Sequence, residues 1–268
     1  MRSARRACSL AVVAALLAIA LPPDRAAAQA DARSDRSAST PPGALRIAAA
    51  ASLTEVVEDL AARFPDGPVV VSFGASSDLA RQIRDGAPAD VFLSASPEWI
   101  EFLVEAGQVE GTPVVVARNA LVCIAPRSAA AGAARDPKRL AAQVAAAGDL
   151  VAIADEGVPA GEYARRALAA LGLEASYARL LVGQRDVRAV LHAVEQGEVA
   201  AGFVYATDAK IADVEVLFAF DPASHPAIEY QAVVAAQATH PDLARRFLAY
   251  LSGEVARARL SAAGFVLP

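Results

Sequence analysis

The chain has 268 residues, of which 55% are hydrophobic and 21% are charged, and its formal net charge is −5. This acidic balance argues against nucleic acid and anionic membranes as partners. Two cysteines are too few for a disulfide framework, so the fold must rest on a hydrophobic core of the size that a chain this long can bury.

The first thirty residues have the pattern of a secretory signal peptide. Arginines at positions 2, 5 and 6 precede the uncharged stretch 7–21, whose 15 residues are fewer than the ~20 needed to span a bilayer. Ala28-Gln29-Ala30 has the small-x-small form of a cleavage site, whereas Cys8 opens the apolar stretch instead of closing it, which disfavours a lipoprotein. We therefore expect cleavage near Ala30, export to the periplasm and a mature chain of 238 residues with a formal charge of −8.

After the signal peptide, the composition changes twice. Residues 31–43, DARSDRSASTPPG, are polar and lack a periodic apolar face, so we predict a disordered leader. Strand-like apolar runs then alternate with stretches of helical period, which is typical of an α/β fold with mixed, mostly parallel sheets flanked by helices. These runs are LRIAAA, VVVSF, DVFLSA, LVCIAP, LVAIA and AGFVYA. Cys123 lies within one of them, so we expect a buried side chain and not a reactive thiol.

Apolar spacing and end signals predict the helices. The first helix begins at Ser52, because one of its faces combines Leu53, Val56, Val57, Leu60 and Phe64. In SPEWIEFLVEAG, Ser96 is the expected N-cap and Gly107 the stop. Its predicted packed face comprises Trp99, Phe102, Leu103 and Ala106. Further helices are expected at about 76–85, 161–171 and 187–196, and two more after residue 240.

One strand-like run comes after the alternation has ended. IEYQAVVAA near residue 230 is followed only by the two closing helices, and a discontinuous domain explains this order. We predict that the chain leaves a first lobe near Arg118 and returns to it near Tyr230. Lobe 1 would then contain residues 44–118 plus 230–268 and lobe 2 residues 119–229, with the two crossings forming a hinge.

Four strand-to-helix junctions share one chemistry. They lie at Ser52 in AAASLT, Ser76 in FGASSD, Ala160 in VPAGEY and Val187 in RDVRAV. The first turn of a helix leaves about four N–H groups without intrahelical partners and carries a partial positive charge, so small residues there make an anion site. The alternative is that Ser and Asp at these positions are ordinary helix caps that need no ligand. Arg185 and Arg188 flank the last junction and are expected to be solvated.

The motifs at these junctions resemble those of the periplasmic molybdate-binding proteins of ABC importers. AAAASLTEVVEDLAARF, VSFGASSDLARQIRDGAPADVFLSAS, GVPAGEYARRAL, DVRAVL and GFVYATDA carry the resemblance, which runs in order from about residue 45 to 268. It implies a two-lobed periplasmic binding protein fold that holds molybdate, and also tungstate, in the cleft and delivers it to a membrane permease. It further implies a monomer. The implied donors are the side chains and N–H groups of Ser52 and Ser76, the N–H groups of Ala160 and Val187, and the hydroxyl of Tyr205.

The sequence departs from that family's pattern at Asp78, where a neutral hydroxyl residue is common. One explanation is that Asp78 balances the positive N-terminus of its helix. The other is that its carboxylate accepts a hydrogen bond from a protonated oxyanion such as hydrogen phosphate. A sulfate- or phosphate-type binding protein is therefore the alternative within the same class.

Neutral donors alone favour an anion that has no proton to donate, which describes molybdate near neutral pH. Enzymatic functions are disfavoured, since the chain has no G-x-S-x-G, H-E-x-x-H, C-x-x-C or G-x-x-x-x-G-K-[ST] motif. A hydrolase with Ser76 as nucleophile would need a base that the sequence does not show. We expect no enzyme activity, no cofactor and no metal cation held by direct coordination.

Overall fold

The computed structural model describes residues 41–268 of the chain. The predicted signal peptide, and the predicted leader up to residue 40, lie outside these residues. Within the described part of the chain, no helix is both long and apolar enough to cross a membrane.

Ten strands and nine α-helices are found in residues 41–268. The strands are β1 Leu45–Ala50, β2 Val69–Gly74, β3 Val91–Ser94, β4 Val109–Asn119, β5 Leu121–Pro126, β6 Val151–Ala154, β7 Leu181–Gln184, β8 Ala201–Tyr205, β9 Val214–Ala219 and β10 Ile228–Ala235. The helices are α1 Thr54–Arg63, α2 Ser76–Arg84, α3 Pro97–Glu105, α4 Pro137–Ala147, α5 Pro159–Ala170, α6 Glu174–Tyr177, α7 Val187–Glu195, α8 Pro241–Leu251 and α9 Glu254–Ala263. A 3₁₀ turn at Ala51–Leu53 leads from β1 into α1.

The strands form two five-stranded sheets of the same design. Their orders are β2-β1-β3-β10-β4 and β7-β6-β8-β5-β9. In each sheet the first three strands pair in parallel, and the fourth is antiparallel to both of its neighbours. Four of five strands therefore point the same way in each sheet, and the prediction of mixed, mostly parallel sheets in two lobes is confirmed.

The chain passes between the sheets twice. β4 ends at Asn119 in the first sheet and β5 begins at Leu121 in the second, and the chain returns between the end of β9 at Ala219 and the start of β10 at Ile228. The reversed strand of each sheet, β10 or β5, directly follows a crossing. The predicted lobes 44–118 plus 230–268 and 119–229 stay a prediction, because membership of a sheet does not establish which residues move together.

The predicted strands and helices are confirmed with shifts of one or two residues at their ends. The sequence did not reveal β4, β7, β9, α4 and α6. The predicted packed face of α3 is partly wrong: Ile100 and Leu103 are buried, whereas Ala106 is exposed and Trp99 is half-buried. Cys123 is fully buried as expected, and this burial raises the pKa of its thiol.

Candidate functional site

A small cavity lies at the carboxyl ends of strands from both sheets. It has a volume of about 20 Å³, little more than the ~10–15 Å³ that holds one water molecule. A cavity of this size suits a compact inorganic group and not an organic metabolite. The five predicted residues Ser52, Ser76, Ala160, Val187 and Tyr205 all line it, together with Ala50, Ala51, Gly74, Ala75, Ala95, Val158, Pro159 and Asp186.

The strand directions explain why these residues meet. In open α/β sheets, ligands bind where parallel strands end. Ser52 follows β1 and Ser76 follows β2 in the first sheet. Ala160, Val187 and Tyr205 follow or end β6, β7 and β8 in the second. Each sheet thus supplies part of one lining.

Three of the helix starts at the cavity lack the side-chain caps that ordinary helix capping, the alternative to an anion site, would require. The residues that precede the Ala51–Leu53 turn, α2 and α5 are Ala50, Ala75 and Val158, and none of them makes a side-chain cap hydrogen bond. Helix geometry leaves the first N–H groups unpaired, so these ends point free donors at the cavity. Among the helix starts at the cavity, side-chain capping is found at α7, where Asp186 Oδ1 accepts from the N–H of Ala189 at 2.9 Å.

The two serine hydroxyls are buried and held from behind. Ser76 Oγ accepts a hydrogen bond from the N–H of Ala95 at 3.0 Å, so its own proton is free to donate elsewhere. Ser52 Oγ lies 2.9 Å from the hydroxyl of Tyr230, another fully buried group. Neither serine caps its own helix.

Tyr205 carries the clearest sign of a missing partner. Its side chain is 1% exposed, and its hydroxyl makes no hydrogen bond to any described residue. A buried hydroxyl without a partner costs ~1–3 kcal/mol, so such groups point to a ligand or another function. Burial raises the pKa of Tyr205 well above its usual value, which keeps the hydroxyl protonated as a donor. The N–H of Tyr205 donates to Asp208 Oδ2 at 3.0 Å, which fixes the end of β8.

Within residues 41–268, no lysine, arginine or histidine lines the cavity. Asp186 does line it, which the sequence did not lead us to expect. Its Oδ1 is occupied by the cap to Ala189, and its Oδ2 lies 3.4 Å from Arg185 Nε. The lining therefore offers N–H and O–H donors, and its single carboxylate is turned to other partners.

The two arginines that flank Val187 differ. Arg185 is 84% exposed, as predicted, but the prediction that Arg188 is solvated is wrong. Arg188 donates to both carboxylate oxygens of Glu55, at 2.7 and 2.6 Å, and to the carbonyl oxygen of Ser52 at 3.2 Å. Its Nε also lies 2.9 Å from the buried carboxylate of Asp208. Arg188 thus joins α7 of the second sheet to the Ser52 turn of the first.

Asp78 does not belong to the site. It lies outside the cavity lining, its side chain is exposed and it forms an ion pair of 3.2 Å with Arg81 in the next turn of α2. This position fits the first explanation, that Asp78 balances a helix N-terminus, and leaves no contact with a bound anion. Trp99, which we expected to serve packing alone, donates its indole N–H to the carbonyl of Gly157 at 3.0 Å and so bridges the two halves of the molecule.

Sequence reasoning missed Asp186, Asn119 and Asp208, and it did not foresee the contacts that Tyr230 and Arg188 make. These contacts join segments far apart in the chain, such as Ser52 and Tyr230, which are 178 positions apart. The only local signals were a buried-strand tyrosine in IEYQAV and the acidic residue of VYATD.

Comparison with known proteins identifies the family to which this chain belongs. The sequence profile of the bacterial extracellular solute-binding proteins matches residues 45–266. The chain is 37% identical over 225 residues to the molybdate-binding protein ModA of Haemophilus influenzae, covering 81% of this chain and 87% of that protein. It is 35% identical over 231 residues to ModA of Escherichia coli, covering 84% of this chain and 90% of that protein.

A solved structure agrees with these relatives. The periplasmic molybdate-binding protein of Azotobacter vinelandii superimposes with a TM-score of 0.73 at 25% identity, covering 84% of this chain and 99% of that one. A profile match over most of the chain and relatives above 30% identity establish common ancestry. The chain therefore belongs to the bacterial extracellular solute-binding protein family.

Proposed function

We propose that this chain binds molybdate, and also tungstate, in the periplasm and delivers it to the permease of an ABC importer. The observation that carries the proposal is the buried, unpartnered hydroxyl of Tyr205 beside two serine hydroxyls and uncapped helix starts. The relatives named molybdate-binding proteins support the choice of ligand.

In this proposal the anion takes the place of the missing helix caps. The N–H groups of Ser52, Ser76, Ala160 and Val187 and the hydroxyls of Ser52, Ser76 and Tyr205 donate to its oxygens. Hydrogen bonds to a charged acceptor are about twice as strong as neutral ones, and exclusion of water strengthens them further. The positive ends of the helices supply electrostatic stabilisation without a cationic side chain.

Selectivity follows from the same donors. An oxyanion without protons satisfies every donor, whereas hydrogen phosphate would place its own O–H against another donor. Sulfate also lacks a proton, but it is smaller than molybdate and cannot reach all donors together. A sulfate- or phosphate-type protein remains the alternative function, and it requires either a narrower ring of donors or a free acceptor in the lining.

Catalysis has no support in the lining. A nucleophilic Ser76 needs a base within ~2.6–3.2 Å, and its hydroxyl accepts from the N–H of Ala95 instead. The only carboxylate of the lining, on Asp186, caps α7. We therefore propose a binding protein that acts as a monomer and holds no cofactor.

Binding is proposed to close the two lobes around the anion, with lobe 1 formed by residues 44–118 plus 230–268 and lobe 2 by residues 119–229. Ser52 and Ser76 belong to one sheet, and Ala160, Val187 and Tyr205 to the other, so neither lobe alone surrounds a ligand. Two chain crossings leave the lobes free to rotate, as in hinge closure.

Isothermal titration calorimetry of the mature chain tests this function, with sodium molybdate as ligand and sulfate and phosphate as controls. We expect one molybdate per chain and no comparable binding of phosphate. At 100 times the dissociation constant, molybdate should raise the free energy of unfolding by about 2.7 kcal/mol. No heat with molybdate, a stoichiometry near two, or tighter binding of sulfate or phosphate would contradict the proposal.

A further inference from the structure

A chain of hydrogen bonds leads away from the cavity behind Ser52. The side-chain amide of Asn119 donates from Nδ2 to Tyr230 Oη at 3.3 Å and to Thr207 Oγ1 at 2.9 Å. The orientation of this amide is fixed, because its Oδ1 accepts from the N–H of Ala120 at 2.9 Å. Tyr230 Oη in turn lies 2.9 Å from Ser52 Oγ.

The directions of these bonds can be deduced in sequence. An amide NH₂ group can only donate, so Tyr230 Oη accepts from Asn119. The phenol proton of Tyr230 then has one acceptor within reach, Ser52 Oγ. Since Ser52 Oγ accepts that proton, its own proton is left to face the cavity. The opposite order would leave the buried phenol proton of Tyr230 without an acceptor, at a cost of ~1–3 kcal/mol.

We propose that Tyr230 and Asn119 are specificity-determining positioning residues that force the hydroxyl of Ser52 to act as a donor to the bound anion. The inference rests on the proposed function and deepens it. We call the chain of hydrogen bonds from Asn119 through Tyr230 to Ser52 the relay. Burial raises the pKa of Tyr230 above its usual value, so its hydroxyl stays protonated throughout the physiological pH range.

The hydroxyl of Ser76 is also held as a donor, but by a backbone group. Ser76 Oγ accepts from the N–H of Ala95, and a backbone N–H can never reverse its role. A free serine hydroxyl adapts, because it donates to one ligand and accepts from another. With both hydroxyls held as donors, the site loses this adaptability and rejects anions that carry a proton.

The relay predicts a change in selectivity and not only in affinity. In Tyr230→Phe the hydroxyl of Ser52 is free to rotate and accept, so hydrogen phosphate should begin to compete with molybdate. We expect the ratio of phosphate to molybdate dissociation constants to fall at least tenfold, measured by competition calorimetry at about pH 8, where phosphate is mainly the hydrogen phosphate dianion. Molybdate affinity itself should fall by about three- to tenfold.

Asn119→Asp provides an independent second variant. A carboxylate at this position accepts the phenol proton, so Ser52 must donate to Tyr230 and turn a lone pair toward the ligand. The added charge weakens the binding of molybdate and of hydrogen phosphate, which are both dianions, so the ratio of their dissociation constants reports the effect of the relay alone. This ratio should fall further than in Tyr230→Phe. The matched control is Tyr177→Phe, whose buried hydroxyl donates to the carbonyl oxygen of Pro137 at 2.8 Å and lies outside the cavity lining. Its ratio should equal that of the wild type.

A measurement without ligand separates this inference from the proposed function. NMR of the unliganded wild type should show a slowly exchanging hydroxyl proton of Tyr230 close to Ser52, absent in Tyr230→Phe. If this proton is seen but the wild type binds no molybdate, the proposed function fails and the relay stands. If no such proton is seen, or if both relay variants bind molybdate with wild-type selectivity, the relay is refuted.

Discussion

Tyr205→Phe tests the site at the group that has no partner in the protein. The substitution removes one hydroxyl and almost no volume, and the ring keeps its edge contacts with Tyr163 and Tyr230 at centroid distances of 6.5 and 6.0 Å. Because the hydroxyl makes no hydrogen bond to any described residue, the unliganded fold has none to lose. Since a buried hydroxyl without a partner costs ~1–3 kcal/mol, we expect the free energy of unfolding of the unliganded variant to rise above wild type by up to about that amount, and not to fall.

Binding should respond very differently. A hydrogen bond to a charged acceptor contributes ~1.5–3 kcal/mol, so the dissociation constant for molybdate should rise about ten- to a hundredfold. Calorimetry gives the dissociation constant, and thermal unfolding with and without molybdate gives the loss of ligand-induced stabilisation. A large rise in the dissociation constant without a loss of stability of the unliganded protein is the signature of a group reserved for the ligand.

Tyr250→Phe is the matched control. The hydroxyl of Tyr250 is likewise buried without a partner among the described residues, but it lies on α8 outside the cavity lining. The Tyr250→Phe variant should have the same dissociation constant for molybdate as the wild type. Wild-type affinity in Tyr205→Phe, or equal losses in the two variants, would refute the assignment of Tyr205 to the site.

Two further predictions concern the network behind the site. Glu55→Gln weakens the contact of Arg188 with the Ser52 turn. Because half-exposed ion pairs contribute ~0.2–1 kcal/mol, molybdate should dissociate about two- to fivefold faster in stopped-flow measurements. The control Glu58→Gln, at an exposed position of the same helix, should have no effect. Burial raises the pKa of Asp208 to about 7, well above the usual value of an aspartate, so between these two values the folded state binds more protons than the unfolded state. The stability that Asp208 contributes should therefore be present at pH 4 and lost as pH rises through about 7, and melting temperatures of Asp208→Asn should lack this component.

Local patterns allowed much of the fold to be predicted. β1 and α1 were visible because an apolar run gives way to residues at helical spacing, and Ser52 lies where one ends and the other begins. β4 was missed because Gly111 and Pro113 interrupt its pattern and only two of its eleven residues are buried. β9 was missed because its burial does not alternate: Val214 and Leu217 are buried, whereas Val216 and Ala219 are exposed, and the strand lies at an edge of the second sheet.

The positions of the cavity residues were predictable, but their orientations were not. The first turn of a helix has unpaired N–H groups whatever the helix packs against, so Ser76 and Val187 could be proposed as donors from the sequence. The partner of each hydroxyl depends on tertiary packing, and the hydroxyl of Ser52 finds Tyr230, 178 positions away. Arg188 illustrates the same limit, since a charge beside a helix start is usually solvated, yet here it crosses to Glu55.

Neutral donors and a divided site depend on one another. A cationic side chain would attract any anion to one lobe alone, and closure would then add little discrimination. In the proposed site, Ser52 and Ser76 follow strands of one sheet and Ala160, Val187 and Tyr205 follow or end strands of the other, so full hydrogen bonding requires both at once. An anion that is too small, or that carries a proton, leaves at least one buried donor unpaired at ~1–3 kcal/mol, and each 1.4 kcal/mol is a tenfold loss of affinity. The geometry of closure, and not the strength of attraction, then decides which oxyanion is retained.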